Sequence, residues 1–158
     1  MKVGDLGAGS GHYARAAAAI VGHSGKVYAV DIQEDVLKHA KSNVHERHHS
    51  IVETIWGDIE RQGGTKLRDH LLDAVILANV FFQIENRDGL LAEVKRVMKP
   101  SGKLLLVDWA GSYGGMGPAP ERVVSERKAE EFFINGGFHK VKDFRAGPHH
   151  YGIIFTAP

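Results

Sequence analysis

The sequence contains no cysteine, so it can build no disulfide framework, thiol nucleophile or thiolate zinc site. A chain of that composition is expected in the cytoplasm. Charge of one sign is also lacking: 20 Lys and Arg stand against 19 Asp and Glu, a formal net charge of +1. That balance is far from the strong basic excess of a dedicated nucleic-acid binder. Long apolar runs are missing too. The longest near the start, Ala16 to Val21, is much shorter than a membrane span and follows a glycine loop instead of a basic leader. Neither membrane insertion nor targeting is indicated. With 158 residues, 43% of them hydrophobic, residues 1–158 are read as one domain with one sheet-and-helix core and no separate substrate domain.

What the chain does have is glycine in one decisive place. The stretch from Val3 to His12 reads as a buried strand ending in a glycine turn that opens directly into a helix. Gly7, Gly9 and Gly11 let the backbone turn tightly and let a ligand lie against bare amides. The new helix adds unpaired N–H donors and its positive dipole end. A ligand with a carboxylate or phosphate is expected there. The run Gly7-x-Gly9-x-Gly11 departs from the G-x-G-x-x-G of dinucleotide sites, which disfavours an NAD oxidoreductase. A second strand, Gly25 to Asp31, ends in an acid that can accept two hydrogen bonds from ribose hydroxyls. Asp31 can alternatively cap the following helix, whose Glu34 and Asp35 favour its positive end.

Five segments rich in Val, Ile and Leu alternate with helical patterns, which predicts an α/β fold with a doubly wound parallel sheet. Leu37, Ala40 and Val44 form one helical stripe, and Leu90, Val94 and Val97 form another on what is counted as the fourth helix. Ser125 reads as the N-cap of a helix with Ala129, Phe132 and Phe133 facing inward, stopped by Gly136 and Gly137. Ligands of such sheets bind beyond the carboxyl ends of the strands, and Asp5, Asp31, Asp58, Asn79 and Asp108 all fall near those ends.

Further segments follow in order. Gly57-Asp58-Ile59 comes after a third strand, Ile51 to Trp56. A fourth strand, Asp73 to Ala78, runs into Asn79-Val80-Phe81-Phe82-Gln83. A helix from Glu93 to Pro100 ends in a Lys-Pro-Ser-Gly turn before the strand Lys103 to Trp109, and Phe138–Arg145 with Tyr151–Thr156 closes as a hairpin. With Asp5 two residues before the glycine loop, this succession resembles the class I S-adenosylmethionine-dependent methyltransferases over nearly the whole chain. The phrase RVMKPSGKLLLVDW is similar to the branch that includes ubiquinone and menaquinone biosynthesis methyltransferases. The resemblance implies a Rossmann-like seven-stranded sheet of order 3-2-1-4-5-7-6 with an antiparallel last strand. It implies S-adenosylmethionine as cofactor and S-adenosylhomocysteine as product. Cofactor contacts then fall to Asp5, Gly7, Ala8, Gly9, Gly11, Asp31, Ile32, Gly57, Asp58, Ile59 and Asn79, with Asp58 on the adenine amino group.

A sulfonium methyl is already activated, so the protein mainly aligns the acceptor and excludes water. Groups expected beside the methyl are Asn79, Asp108 and His150 as catalytic candidates. Phe82, Gln83, Trp109, His149 and Tyr151 are expected on the substrate side. An antiparallel last strand puts the hairpin Gly147-Pro148-His149-His150 at the cofactor end, where a histidine can accept a proton near neutral pH. The alternative is an ordinary solvated hairpin. Of Phe81 and Phe82, one is expected inside and the other on the site. The segment Gly111 to Pro120 reads as a mobile substrate lid. His45, His48 and His49 are read as charges facing a helix C-terminus, and no metal site is expected. Asn79-Val80-Phe81-Phe82 lacks both prolines of the Asn-Pro-Pro-aromatic motif and does not establish a nucleobase acceptor.

Family members usually carry helices before the first strand, whereas Met1 here stands at that strand. Three readings follow: a fragment or misplaced start, a dimer whose neighbour covers the site, or an open site for a bulky acceptor. The expectation leans to an exposed site acting on RNA. The alternatives are a small-molecule methyltransferase completed by dimerisation and a catalytically silent cofactor-binding module. Monomer and homodimer both remain open.

Overall fold

The computed structural model describes residues 1–158, apart from the side chain of Arg47. Seven strands form one sheet: β1 (Lys2–Leu6), β2 (Lys26–Asp31), β3 (Val52–Trp56), β4 (Leu72–Ala78), β5 (Met98–Trp109), β6 (His139–Arg145) and β7 (His150–Thr156). Their order is β3-β2-β1-β4-β5-β7-β6, with β7 antiparallel to both its neighbours. The helices are α1 (His12–Val21), α2 (Glu34–Ser42), α3 (Arg87–Val97) and α4 (Glu126–Asn135). The sequence-based order and the antiparallel last strand are therefore observed.

The central strands read as near-continuous apolar runs because both their faces are covered. Alternate residues supply two cores. Val3, Val27 and Ala29 pack with Ala14, Ala17 and Ala18 of α1 on one face. Leu6, Val30 and Leu77 pack with Leu90, Phe133 and Phe155 on the other. Alanines on α1 let that helix lie close to the sheet. In α4 the Ser125 hydroxyl accepts from the Lys128 amide at 3.3 Å, Ala129 and Phe133 are buried, and Gly136 follows the last turn, all as the sequence predicts.

Several boundaries differ. Residues 57–71 hold turns and no helix, so the stripe Leu90–Val97 belongs to the third helix. The cause is polar. The Glu93 carboxylate, fully buried in α3, accepts from Gly63 N at 2.7 Å, Thr65 N at 3.0 Å and the Thr65 hydroxyl at 2.5 Å. Arg96 pairs with Glu93 and also reaches Leu67 O and Asp69. Burial pushes the Glu93 pKa up, but Arg96, Thr65 and the two amides outweigh it and bring it down to about 2. The loop is thus folded around an ion pair where a helix would need an apolar stripe. α3 itself begins at Arg87, capped by Asn86 accepting from Gly89 N, and ends at Val97. The Lys-Pro-Ser-Gly segment is an irregularity within β5: Leu72 pairs with Met98, and Ala74 next pairs with Lys103.

α2 ends at Ser42, so Val44 is buried beyond it. His45, His48 and His49 lie in and around the turn Glu46–His48, with His49 Nε2 2.7 Å from Val44 O. Among the described residues no helix is long and apolar enough to cross a membrane.

Candidate functional site

The carboxyl ends of β1, β2 and β4 and the turn after β3 surround a cleft of about 510 Å³. Its floor is the glycine loop. Gly7 N and Ala8 N both donate to Val30 O, at 2.8 and 3.0 Å, fastening the loop to β2. The Asp31 carboxylate accepts from Gly9 N through one oxygen and from Gln33 N through the other, each at 2.9 Å. Asp31 therefore shapes both the loop and the entry to α2, while still lining the cleft.

Gly7 and Gly9 have φ of +78° and +54°, a region that side chains rarely adopt. A Cβ on Gly7 would sit 2.6 Å from Val80 Cγ2, whereas one on Gly9 would meet nothing within 4 Å. The space over Gly9 is the open part of the cradle. Gly11, packed on Ala40, is the left-handed N-cap of α1 and provides no side-chain cap. The Ala14 amide of the first turn is taken by Asp5, which leaves the two amides before it without a side-chain cap.

Beneath the loop lies Asp5, only 2% exposed, with Oδ2 unpartnered among the described residues. Burial lifts its pKa from 3.8 to about 7; the Ala14 amide opposes the rise and the Asp31 charge adds to it. Asp5 does not line the cleft, and neither does Gly57, which packs against Gly64 O. Asp58 and Ile59 do line it. One Asp58 oxygen accepts from Glu60 N at 2.9 Å, and Glu60 in turn binds the Asn86 amide. Ile32 and Asn79 also line it, whereas Gly11 does not; Asn79 has a left-handed conformation with φ +56° that its short polar side chain tolerates.

The acceptor side differs more. Gln83 lines the cleft, and Phe82 lines an adjoining cavity while Phe81 is buried. Asp108 does not line the cleft: its oxygens accept from the Phe82 and Trp109 amides at 2.9 and 2.8 Å, holding the turn Phe81–Gln83 in place. Burial raises its pKa to about 6 against the pull of those amides and of Arg87. The Tyr151 hydroxyl donates to Val124 O at 3.0 Å and is buried, so it anchors the segment before α4.

Trp109, Tyr113, His149 and His150 form an aromatic cluster, with His150 4.2 Å from Trp109 and His149 4.1 Å from Tyr113. Burial and His149 lower the His150 pKa. The hairpin is at the cofactor end, since Trp109 pairs with His150. It is nonetheless displaced sideways, because β7 lies two strands from β4, about 10 Å at ordinary strand spacing. The segment read as a lid is largely exposed and touches the cluster at two points: Tyr113 packs on Trp109, and Gly117 lies so close to the Trp109 ring that a Cβ would fall 2.5 Å from it.

Cleft residues that sequence reasoning passed over include His12 and Tyr13 at the start of α1, Gln33 and Val36 around the start of α2, Glu60 and Ile84. His12 had a signal, since it directly follows the last glycine of the loop.

A glycine loop after the first strand, an acid after the second and an acid-bearing turn after the third, all at the carboxyl end of a doubly wound sheet, define a nucleoside-cofactor site. Residues 4–106 match the methyltransferase domain family, and the chain belongs to it, as a class I S-adenosylmethionine-dependent methyltransferase. It is 34% identical over 119 residues to the ubiquinone/menaquinone biosynthesis C-methyltransferase of Bordetella parapertussis, covering 75% of this chain and 45% of that protein. The match thus spans less than half the length of that relative. A solved S-adenosylmethionine-dependent methyltransferase from Aquifex aeolicus is 29% identical with a TM-score of 0.89, covering 100% of this chain and 82% of its own. A putative type 11 methyltransferase from Sulfolobus solfataricus is 26% identical with a TM-score of 0.79, over 98% and 82%. S-adenosylmethionine is the cofactor of this family. The residues present fit it: the cradle is open over Gly9, and Asp31 and Asp58 offer carboxylates to a cationic nucleoside.

Proposed function

We propose that the chain transfers the methyl group of S-adenosylmethionine to a small organic acceptor. The observation that carries this reading is a second cavity of about 350 Å³ that shares Gln83 and Ile84 with the cofactor cleft. The name of the Bordetella relative, a C-methyltransferase of quinone biosynthesis, supports a small acceptor methylated at carbon. An RNA acceptor, toward which the sequence leaned, has no such support.

When bound, the cofactor supplies a methyl on a positively charged sulfur. Gly9, Asp31, Asp58 and Ile59 would hold it, and the methyl would be supplied to an electron pair of the acceptor. The chain's own residues hold and align. Gly9 and Asp31 set the cradle, and Asp58 and Ile59 flank it. Asn79 and Gln83 stand on the β4 side, where the two cavities meet. Asp108 positions Gln83 through the amide of Phe82.

The test is transfer of labelled methyl from S-adenosylmethionine into separated RNA, protein and small-molecule fractions of a cell extract, with Gly9→Asp as control. Label in the small-molecule fraction, abolished by Gly9→Asp, is expected. Label in RNA would refute the reading.

A further inference from the structure

The cavity that adjoins the cofactor cleft has one more cation than acid on its wall. Arg87, Arg122 and Lys128 line it, and none forms a salt bridge among the described residues. Glu85 and Glu121 are the acids on the same wall. Arg87 opens α3, and Lys128 lies in the first turn of α4, so both cations stand where the helix dipole disfavours positive charge. Asp88 and Glu126 in the same turns offset only part of that cost. The Arg87 guanidinium carbon is held 5.0 Å from the centre of the Phe81 ring, and its Nε is buried with no hydrogen-bond partner among the described residues. Asp108, whose charge Arg87 senses, already has each of its oxygens on a backbone amide.

Resting on the small-acceptor reading above, we propose that this acceptor carries an anionic group, a carboxylate or a phosphate, bound in that cavity by Arg87 with Arg122 and Lys128 on its exposed side. A guanidinium suits either group, since its donors match paired oxygens. Anchoring the charge at Arg87 leaves the rest of the acceptor to pass Gln83 and Ile84 into the cofactor cleft.

The experiment titrates benzoate, inorganic phosphate and neutral benzamide into the protein loaded with S-adenosylhomocysteine, at constant ionic strength, and follows backbone amide resonances. Benzoate or phosphate is expected to shift Gln83, Arg87, Val124 and Lys128. It should bind at least about tenfold more tightly than benzamide, the worth of one charge-assisted hydrogen bond. Whichever anion binds more tightly identifies the group. Arg87→Met should abolish the preference and Arg87→Lys should keep part of it, both with unchanged S-adenosylhomocysteine affinity. Equal binding of benzoate, phosphate and benzamide, shifts confined to other surfaces, or an Arg87→Met protein with its preference intact would overturn the proposal. Failure of S-adenosylhomocysteine itself to bind would instead overturn the methyl-transfer reading on which it rests.

Discussion

Replacing Asp5 by Asn removes the one carboxylate buried directly beneath the glycine loop, and the consequence depends on pH. Burial raises the Asp5 pKa from 3.8 to about 7 in the folded chain. Between those values the folded state keeps a proton that the unfolded state has released, so stability falls as pH rises through the window. At about 1.4 kcal/mol per unit, the penalty is roughly 1.5 kcal/mol at pH 5 and about 4 kcal/mol at pH 8. Asn does not titrate there, and any fixed cost of its buried amide is the same at both pH values. The stability of Asp5→Asn relative to the unaltered protein should therefore improve by roughly 2.5 kcal/mol between pH 5 and pH 8. Urea unfolding of both ligand-free proteins at the two pH values measures this double difference. The same relative stability at pH 5 and pH 8 would refute the reasoning and mean that Asp5 is ionised in the folded chain.

Glu93→Gln removes half of a buried ion pair and should cost about 3 kcal/mol in denaturant unfolding. The folded Glu93 pKa is depressed to about 2, so its contribution is present above pH 4.5 and lost as pH falls toward 2. Glu93→Gln should lack that acid limb, and an unchanged acid profile would show the pair to be dispensable. Gly7→Ala and Gly9→Ala both pay about 1–2 kcal/mol for positive φ, but only Gly7→Ala also meets Val80. Gly9→Ala should thus be the more stable of the two while still losing cofactor affinity, and the reverse order of stability would contradict the loop geometry. Asp31→Ala should weaken S-adenosylhomocysteine binding by about 1.5–3 kcal/mol in calorimetry. Unchanged affinity would remove Asp31 from the site.

Features that depend on residues close together in the chain were readable without coordinates. The positive φ of Gly7, Gly9 and Gly11, the turn of Asp31 onto the Gln33 amide and the Ser125 cap each act through neighbouring backbone, so their residue types announce their geometry. The strand order followed from resemblance and was observed. Features that depend on distant partners were hidden. Glu93 stood at the start of the helix read over Glu93 to Pro100, yet its carboxylate organises a loop 28 residues away. Tyr151 and His150 were placed at the correct end of the sheet, but only the packed structure shows that Tyr151 is buried on Val124 O and that His150 stacks with Trp109. Arg87, Arg122 and Lys128 carry no sequence motif; three separate segments meet around one cavity only once α3 and α4 are packed on the sheet. The sequence by itself determined the cofactor loop and the class of fold, because local backbone chemistry encodes them. The packing of remote elements decided which polar groups face the ligand, because burial and pairing are properties of the assembled core.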